Sequence, residues 1–456
     1  MVRALTALDA GFLQLEDADP RVSLAIGGVA VLDGPPPDFD EVMATVGERC
    51  LADERSTLVL RTHPLDLAAP QWVSDPAFDL NHHVRRAALT GDGGDDALYA
   101  EIAAIMERRL DRHRPLWECW FIEGLADDRW ALLVKVHHAL ADGIAATTLL
   151  TSLADSRDVA SFATDIAGSR AAPAARRHFT LNPVALLGDS VRAAAGAAQS
   201  VMHTAAGAAA VLTGILQPSS PSPLTGPVSD LRRFSATAVP RSDVDAVCEA
   251  FGVTLNDVAL AAVADSYRAA LMRRGKIPRP DSLRTLVPVS VRSAAGADRP
   301  DQGANRVSLM LPSLPVDIED PVARLRTVHA RMSAAKASGQ RQAGGALVWA
   351  TTRLVPFSLT AAAVRLLSRL PQRGVVTVAT NVPGPRGRLT VMGREVVRLL
   401  PIPPIAMQLR TAVAMLSYAD ELSFGLLVDF DAGADVDELA DGIREGVSTL
   451  AALVKR

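Results

Sequence analysis

Trp130-Ala131-Leu132-Leu133-Val134-Lys135-Val136 runs directly into His137-His138-Ala139-Leu140-Ala141-Asp142-Gly143, and that heptapeptide into Ile144-Ala145-Ala146-Thr147-Thr148-Leu149-Leu150. Strand formers come first, a punctuated polar stretch second and an apolar run third, which reads as strand, loop, helix. Side chains alternate faces along a strand. His138 is therefore expected to project with Leu132, Val134 and Val136, and His137 with Leu133 and Lys135. On that alternation the two imidazoles face opposite ways and cannot share one role. His138, on the apolar face, is the candidate general base, because an imidazole held neutral in a dry cleft can take a proton near neutral pH. His137 is read as a packing or hydrogen-bonding residue. Asp142 stands at the N-cap of the following helix, where its carboxylate accepts backbone N–H bonds and holds the loop. Gly143 permits a tight turn or a close backbone approach that a Cβ would obstruct.

A metal is not expected here. Opposite-facing imidazoles cannot chelate one ion, and no Cys or Glu at ligand spacing completes a shell. The chain carries its own control in Asn81-His82-His83-Val84-Arg85, a second histidine pair with no Asp-Gly after it. That pair is read as structural.

With 456 residues, 49% hydrophobic and 21% charged, the chain can bury large cores and is expected to form two domains. A net charge of −4 argues against nucleic acid as the main partner, since phosphate backbones demand a basic face. Cys50, Cys119 and Cys248 are too widely spaced for a disulfide framework or a CxxC site, which fits a reducing cytoplasm. The N-terminus reaches Asp9 too early for a signal peptide.

Residues 1–160 alternate strand-like runs (Val22 to Leu32, Trp130 to Val136) with helical ones such as Ala97 to Leu110. Residues 161–227 are dominated by Ala, Gly, Ser and Pro and enclose an Ala-rich helix from about Val184 to Leu216, too weakly apolar to span a membrane. Residues 228–456 resume the alternation. They carry a helical pattern at Ser242 to Arg274 and strand candidates at Leu283 to Val291, Arg306 to Leu311, Gly374 to Thr380 and Leu422 to Phe430. The expected architecture is α/β in α+β layers: two similar halves with a long helical crossover between them. Ala343 to Leu370, with Arg353, Arg365 and Arg369, reads either as amphipathic helices around a lipid-accepting groove or as an ordinary core helix pair.

HHxxxDG resembles the active-site motif of bacterial wax ester synthase/acyl-CoA:diacylglycerol acyltransferases. Further blocks agree along nearly the whole chain: Leu5-Thr6-Ala7-Leu8-Asp9-Ala10-Gly11-Phe12-Leu13, Pro115-Leu116-Trp117-Glu118, Leu255-Asn256-Asp257-Val258, Pro288-Val289-Ser290-Val291-Arg292, Asn305-Arg306-Val307-Ser308 and Asn381-Val382-Pro383-Gly384-Pro385. Pro371 to Thr380 and Ser417-Tyr418-Ala419-Asp420 look closest to the mycobacterial-type triacylglycerol synthases.

The resemblance implies two chloramphenicol-acetyltransferase-like domains, with mixed sheets flanked by helices and an active-site channel between them. It implies a second histidine, His138, acting as general base in transfer of a long-chain acyl group from acyl-CoA to the hydroxyl of diacylglycerol or a long-chain alcohol. No acyl-enzyme is expected; no GxSxG elbow is present and the cysteines lack a neighbouring histidine. No cofactor beyond acyl-CoA as co-substrate is implied, and the protein is expected in the cytoplasm, peripherally on the inner membrane face or lipid droplets. A carrier-protein-dependent condensation or transesterification activity, found on the same fold, is the alternative.

The resemblance also extends to substrate-binding positions, each with a plainer use beside it. Asn256 matches an Asn-Asp block, and Asp257 could instead cap a helix. Trp117 could wall an acyl tunnel or pack in the core. Glu16 and Asn381 match positions near the family's active centre, where an exposed helix carboxylate and a turn asparagine are the plainer readings. Seven arginines between Arg365 and Arg398 stand against the single acid Glu395. They are expected either to hold the phosphates of coenzyme A or lipid headgroups, or to form a solvated face.

Overall fold

The computed structural model describes residues 3–5, 7–63, 68–140, 150–156, 222–290, 307–337, 357–358, 362, 374–406, 408–433 and 435–455. Asp142 and Gly143, the expected crossover helix and nearly all of 343–370 lie outside the described residues.

Trp130 to Val136 lies within β7 (Arg129–His137), at the centre of a six-stranded sheet. Its order is β12 (Thr390–Val391), β13 (Arg394–Ile402), β2 (Ala25–Leu32), β7, β6 (Trp117–Leu125), β5 (Val84–Ala88). β6 and β7 form a hairpin whose turn places Asp127 and Asp128 at positive φ, the left-handed geometry that matches strand twist. A second six-stranded sheet has the order β10 (Val307–Met310), β9 (Thr285–Ser290), β11 (Thr377–Pro383), β14 (Thr411–Tyr418), β15 (Glu421–Asp429), β8 (Arg232–Pro240). Both are mixed: β5 is parallel to β6, β11 is parallel to β9 and β14, and their other pairings are antiparallel. A small sheet of β1 (Arg3–Ala4), β4 (Gln71–Ser74) and β3 (Leu58–Arg61) stands apart.

Among the described residues, the α-helices described from end to end are α1 (Ala7–Ala18), α2 (Phe39–Cys50), α3 (Asp95–Glu107), α4 (Arg241–Phe251), α5 (Leu255–Arg273), α6 (Pro321–Ala337) and α7 (Val436–Val454). The pattern at Ser242 to Arg274 predicts one helix and forms two, bent by 104°. Gly252 takes the left-handed conformation at φ 65° and ends α4, and Thr254 restarts the chain by capping α5.

A cut at residue 228 places 390–402 in the second half. β12 and β13 lie instead in the first sheet, with Leu399 opposite Ala30 and Leu400 opposite Val29. They cover what would otherwise be an unpaired edge of β2. Gly425 of β15 crosses β13 so closely that a Cβ there would overlap the Pro401 carbonyl oxygen. One apolar cluster accordingly runs from Ala131 and Leu133 of β7 through Leu400 and Ile402 to Phe234, Ala412 and Leu427 of the second sheet. The first sheet is thus buried on both faces, with α1 and α3 on this one and α2 on the other.

Candidate active site

β7 pairs with β2 up to His137, opposite Ala25. His138 N–H donates to the Leu24 carbonyl at 3.0 Å, Leu140 N–H donates to the His137 carbonyl at 2.9 Å, and the chain leaves the sheet in a turn. His138 is therefore the first residue of the turn, and strand alternation stops short of it. The premise that one face of β7 is drier also fails. Lys135, which shares a face with His137, is completely buried and donates its ammonium to the carbonyls of Ile105, at 2.7 Å, and Arg108 at the end of α3. Burial pushes its pKa down to about 8.

What separates the two histidines is their surroundings. His137 is 1% exposed. Its Nδ1 accepts from Ala139 N–H at 3.0 Å, so a neutral ring carries its proton on Nε2, which faces Glu16 Oε2 at 3.4 Å. His138 is half-buried at the turn, with its ring against Phe12 of α1.

Glu16 is the hub of this group. It is 1% exposed, so the reading as an exposed helix carboxylate is overturned. Oε1 accepts from Leu24 N–H at 3.1 Å and Oε2 from Arg112 Nη2 at 2.7 Å. Burial alone would raise its pKa, but His137 and Arg112 outweigh that and hold it down at about 2. Arg112 supplies a permanent countercharge, since a guanidinium stays protonated. The same α1 segment thus fixes Leu24, whose carbonyl receives His138 N–H, and His137, whose ring receives Ala139 N–H.

The other sequence candidates lie elsewhere. Trp117 is 1% exposed, donates Nε1–H to the Ser56 carbonyl at 2.8 Å and stacks at 4.7 Å on His83. These contacts are those of the core reading. His83, the expected structural control, is buried between Trp117 and Phe78, with Nδ1 2.8 Å from the Trp117 carbonyl. Trp117→Phe keeps the stack and strands the Ser56 carbonyl. It is expected to cost about 1–3 kcal/mol, read as a lower urea midpoint, with the acyl-CoA KM unchanged. A raised KM at unchanged stability would return the ring to the substrate path.

Asp257 completes a capping box with Thr254 and accepts from His329 Nδ1 at 2.8 Å. Its helix-cap use is therefore realised. Asn256 is half-buried in the first turn of α5, and Asn381 lies within β11 opposite Met415, a strand residue in place of a turn asparagine. Among the described contacts, none joins Asn256, Asp257 or Asn381 to the His137–Glu16 group.

Three arginines of the basic run are paired with acids among the described residues. Arg388 pairs with Glu395 at 2.9 Å and Asp420 at 3.3 Å, Arg394 with Glu41 at 3.5 Å, and Arg398 with Asp95 at 2.6 Å. Arg365, Arg369 and Arg373 lie outside the described residues. The cysteines are poor nucleophiles: burial pushes Cys50 up to about 12, Cys119 well up and Cys248 up to about 11.

A family model described as the wax ester synthase/diacylglycerol acyltransferase catalytic domain matches residues 5–259, and one described as the WS/DGAT C-terminal domain matches residues 303–451. The chain belongs to the wax ester synthase/diacylglycerol acyltransferase family. A probable diacylglycerol O-acyltransferase, tgs1, of Mycobacterium tuberculosis is 55% identical over 99% of this chain and 96% of its own length. A putative diacylglycerol O-acyltransferase of the same species is 43% identical over 98% of this chain and 91% of its own. The solved wax ester synthase/diacylglycerol acyltransferase of Marinobacter aquaeolei VT8 superposes with a TM-score of 0.68 at 24% identity, covering 99% of this chain and 100% of that one. The first condensation domain of the CDA synthetase gives 0.61 at 16% identity, covering 100% and 96%. At those identities the likeness is one of fold, and it is the two-domain α/β architecture expected from sequence. In this wax ester synthase/diacylglycerol acyltransferase family member, Phe12 and Arg112 are the site neighbours that sequence reading missed. The i, i+4 spacing of Phe12 and Glu16 was the available signal.

Proposed function

We propose that this chain transfers a long-chain acyl group from acyl-CoA to the free hydroxyl of diacylglycerol, making triacylglycerol, and to long-chain alcohols as a side activity. His138 is the general base. It takes the hydroxyl proton as that oxygen attacks the thioester carbonyl, the carbon–sulfur bond breaks, and the imidazolium returns the proton to the departing CoA thiolate. No acyl-enzyme forms. His137 and Glu16 hold the turn that carries His138, and Asp142 and Gly143 are assigned the loop-holding and close-approach roles that their positions in the motif suggest. The observation that carries the reading is a half-buried imidazole at the end of a central strand, in a family member whose 55%-identical relative is named a diacylglycerol O-acyltransferase.

No single helix among the described residues is long and apolar enough to cross a membrane. Peripheral contact with a membrane or lipid droplet at the cytoplasmic side accords with the proposed lipid acceptor. The test is incubation of purified protein with palmitoyl-CoA and either diolein or hexadecanol, the products separated by thin-layer chromatography. Triacylglycerol is expected as the main product; accumulation of neither ester would overturn the assignment.

A further inference from the structure

Phe12 and Glu16 stand four residues apart on α1, on one face of that helix. This face meets both histidines. Glu16 contacts His137, and the phenyl ring of Phe12 lies 4.2 Å from the His138 imidazole, centroid to centroid, with 32° between the planes. The structural His83, by comparison, sits 4.7 Å from Trp117 and 5.1 Å from Phe78. The small tilt between the Phe12 and His138 rings turns the face of the phenyl, and not its edge, toward the imidazole. An aromatic face carries negative potential and attracts a cation.

A general base changes charge during its own reaction. His138 is neutral while it waits and cationic once it holds the hydroxyl proton, so the phenyl face interacts more favourably with the second state than with the first. Only such differential interactions accelerate a chemical step. We propose that Phe12 is a positioning residue of the acyl transfer: it fixes the plane of the His138 ring and stabilises the imidazolium until the proton passes to the CoA thiolate. This rests on His138 being the base. Phe12 also packs against the core of the first half, so a purely structural role predicts that an apolar side chain of similar size replaces it without altering the chemistry.

The experiment is a steady-state pH series, over roughly pH 5 to 9, with palmitoyl-CoA and diolein on the full chain, Phe12→Leu, Phe12→Tyr and His138→Ala. Removing a group that favours the cation lowers the pKa of the base. The acid limb of kcat/KM in Phe12→Leu is therefore expected to move to lower pH by about 0.4 to 1.5 units. Its kcat should fall by roughly three- to tenfold, with the acyl-CoA KM little changed. Phe12→Tyr keeps the aromatic face and should track the parent. If the leucine variant does not fold, Phe12→Met carries the same expectation. An acid limb that stays in place in a folded Phe12→Leu, or a tyrosine variant as impaired as the leucine one, overturns the proposal. His138→Ala separates the two levels: wild-type turnover there defeats the base assignment itself, whereas loss of turnover beside an unshifted Phe12→Leu profile defeats the Phe12 role alone.

Discussion

Replacing His138 by alanine is expected to lower kcat for triacylglycerol formation by about 10²- to 10⁴-fold, the usual worth of a positioned general base. Stability should change little, within about 1–2 kcal/mol, because the ring is half-buried and lies in a turn beyond the last strand pairing. KM for acyl-CoA is expected to hold, since the imidazole acts on the acceptor proton. His137→Ala is the informative contrast. That ring is fully buried and receives Ala139 N–H, so its loss should appear first as a lower melting temperature and only then as a lower rate, through displacement of the turn. Activity within a few-fold of the parent in a folded His138→Ala would remove the histidine from the chemistry.

β7 was legible because its residues are strand formers over a full strand length, and β2 and α3 for comparable reasons. Strand alternation does not divide the labour between the histidines. Alternation requires a strand, and the strand ends at His137; it also requires one wet face, and both faces of this sheet are covered. Lys135 is the reason the faces looked different, because a lysine in sequence cannot reveal that its ammonium will meet the carbonyls closing α3. The break at Gly252 was visible as a glycine, yet only the left-handed conformation and the capping box make it a 104° bend. β13 escaped because its partner β2 lies in the other half of the chain. The same non-locality hid the acids that neutralise Arg388, Arg394 and Arg398, since Asp420, Glu41 and Asp95 fall outside the window that made the run look basic. Glu16 matched a family position but read as solvent-facing on its own. Its burial depends on Arg112, Leu24 and His137 arriving from three other parts of the chain.

Glu16 is where the second large effect is expected. With a folded pKa of about 2 against an ordinary 4.5, its carboxylate contributes stability that is present above the unfolded value and lost as pH falls through the folded one. That shift corresponds to about 3 kcal/mol at neutral pH. Glu16→Ala leaves Leu24 N–H and the inner side of the Arg112 guanidinium without their partner, and a loss of about 3–5 kcal/mol is expected. Glu16→Gln keeps an acceptor for Leu24 but removes the charge that Arg112 faces, and about 1–3 kcal/mol is expected. Urea denaturation across the acid range distinguishes charge from packing. The gap between the parent and Glu16→Gln should be widest near neutrality and close as pH falls from 4.5 toward 2, because the parent then protonates and the two side chains become alike in charge. Curves that stay parallel over that window would mean the carboxylate holds the turn by shape alone. Turnover should fall in both variants even where the protein remains folded, since Leu24 receives the His138 backbone bond and His137 receives the next one. A base displaced by even about 1 Å can lose some 10²-fold in rate, so one helix carboxylate sets both the stability of this corner and the aim of the imidazole above it.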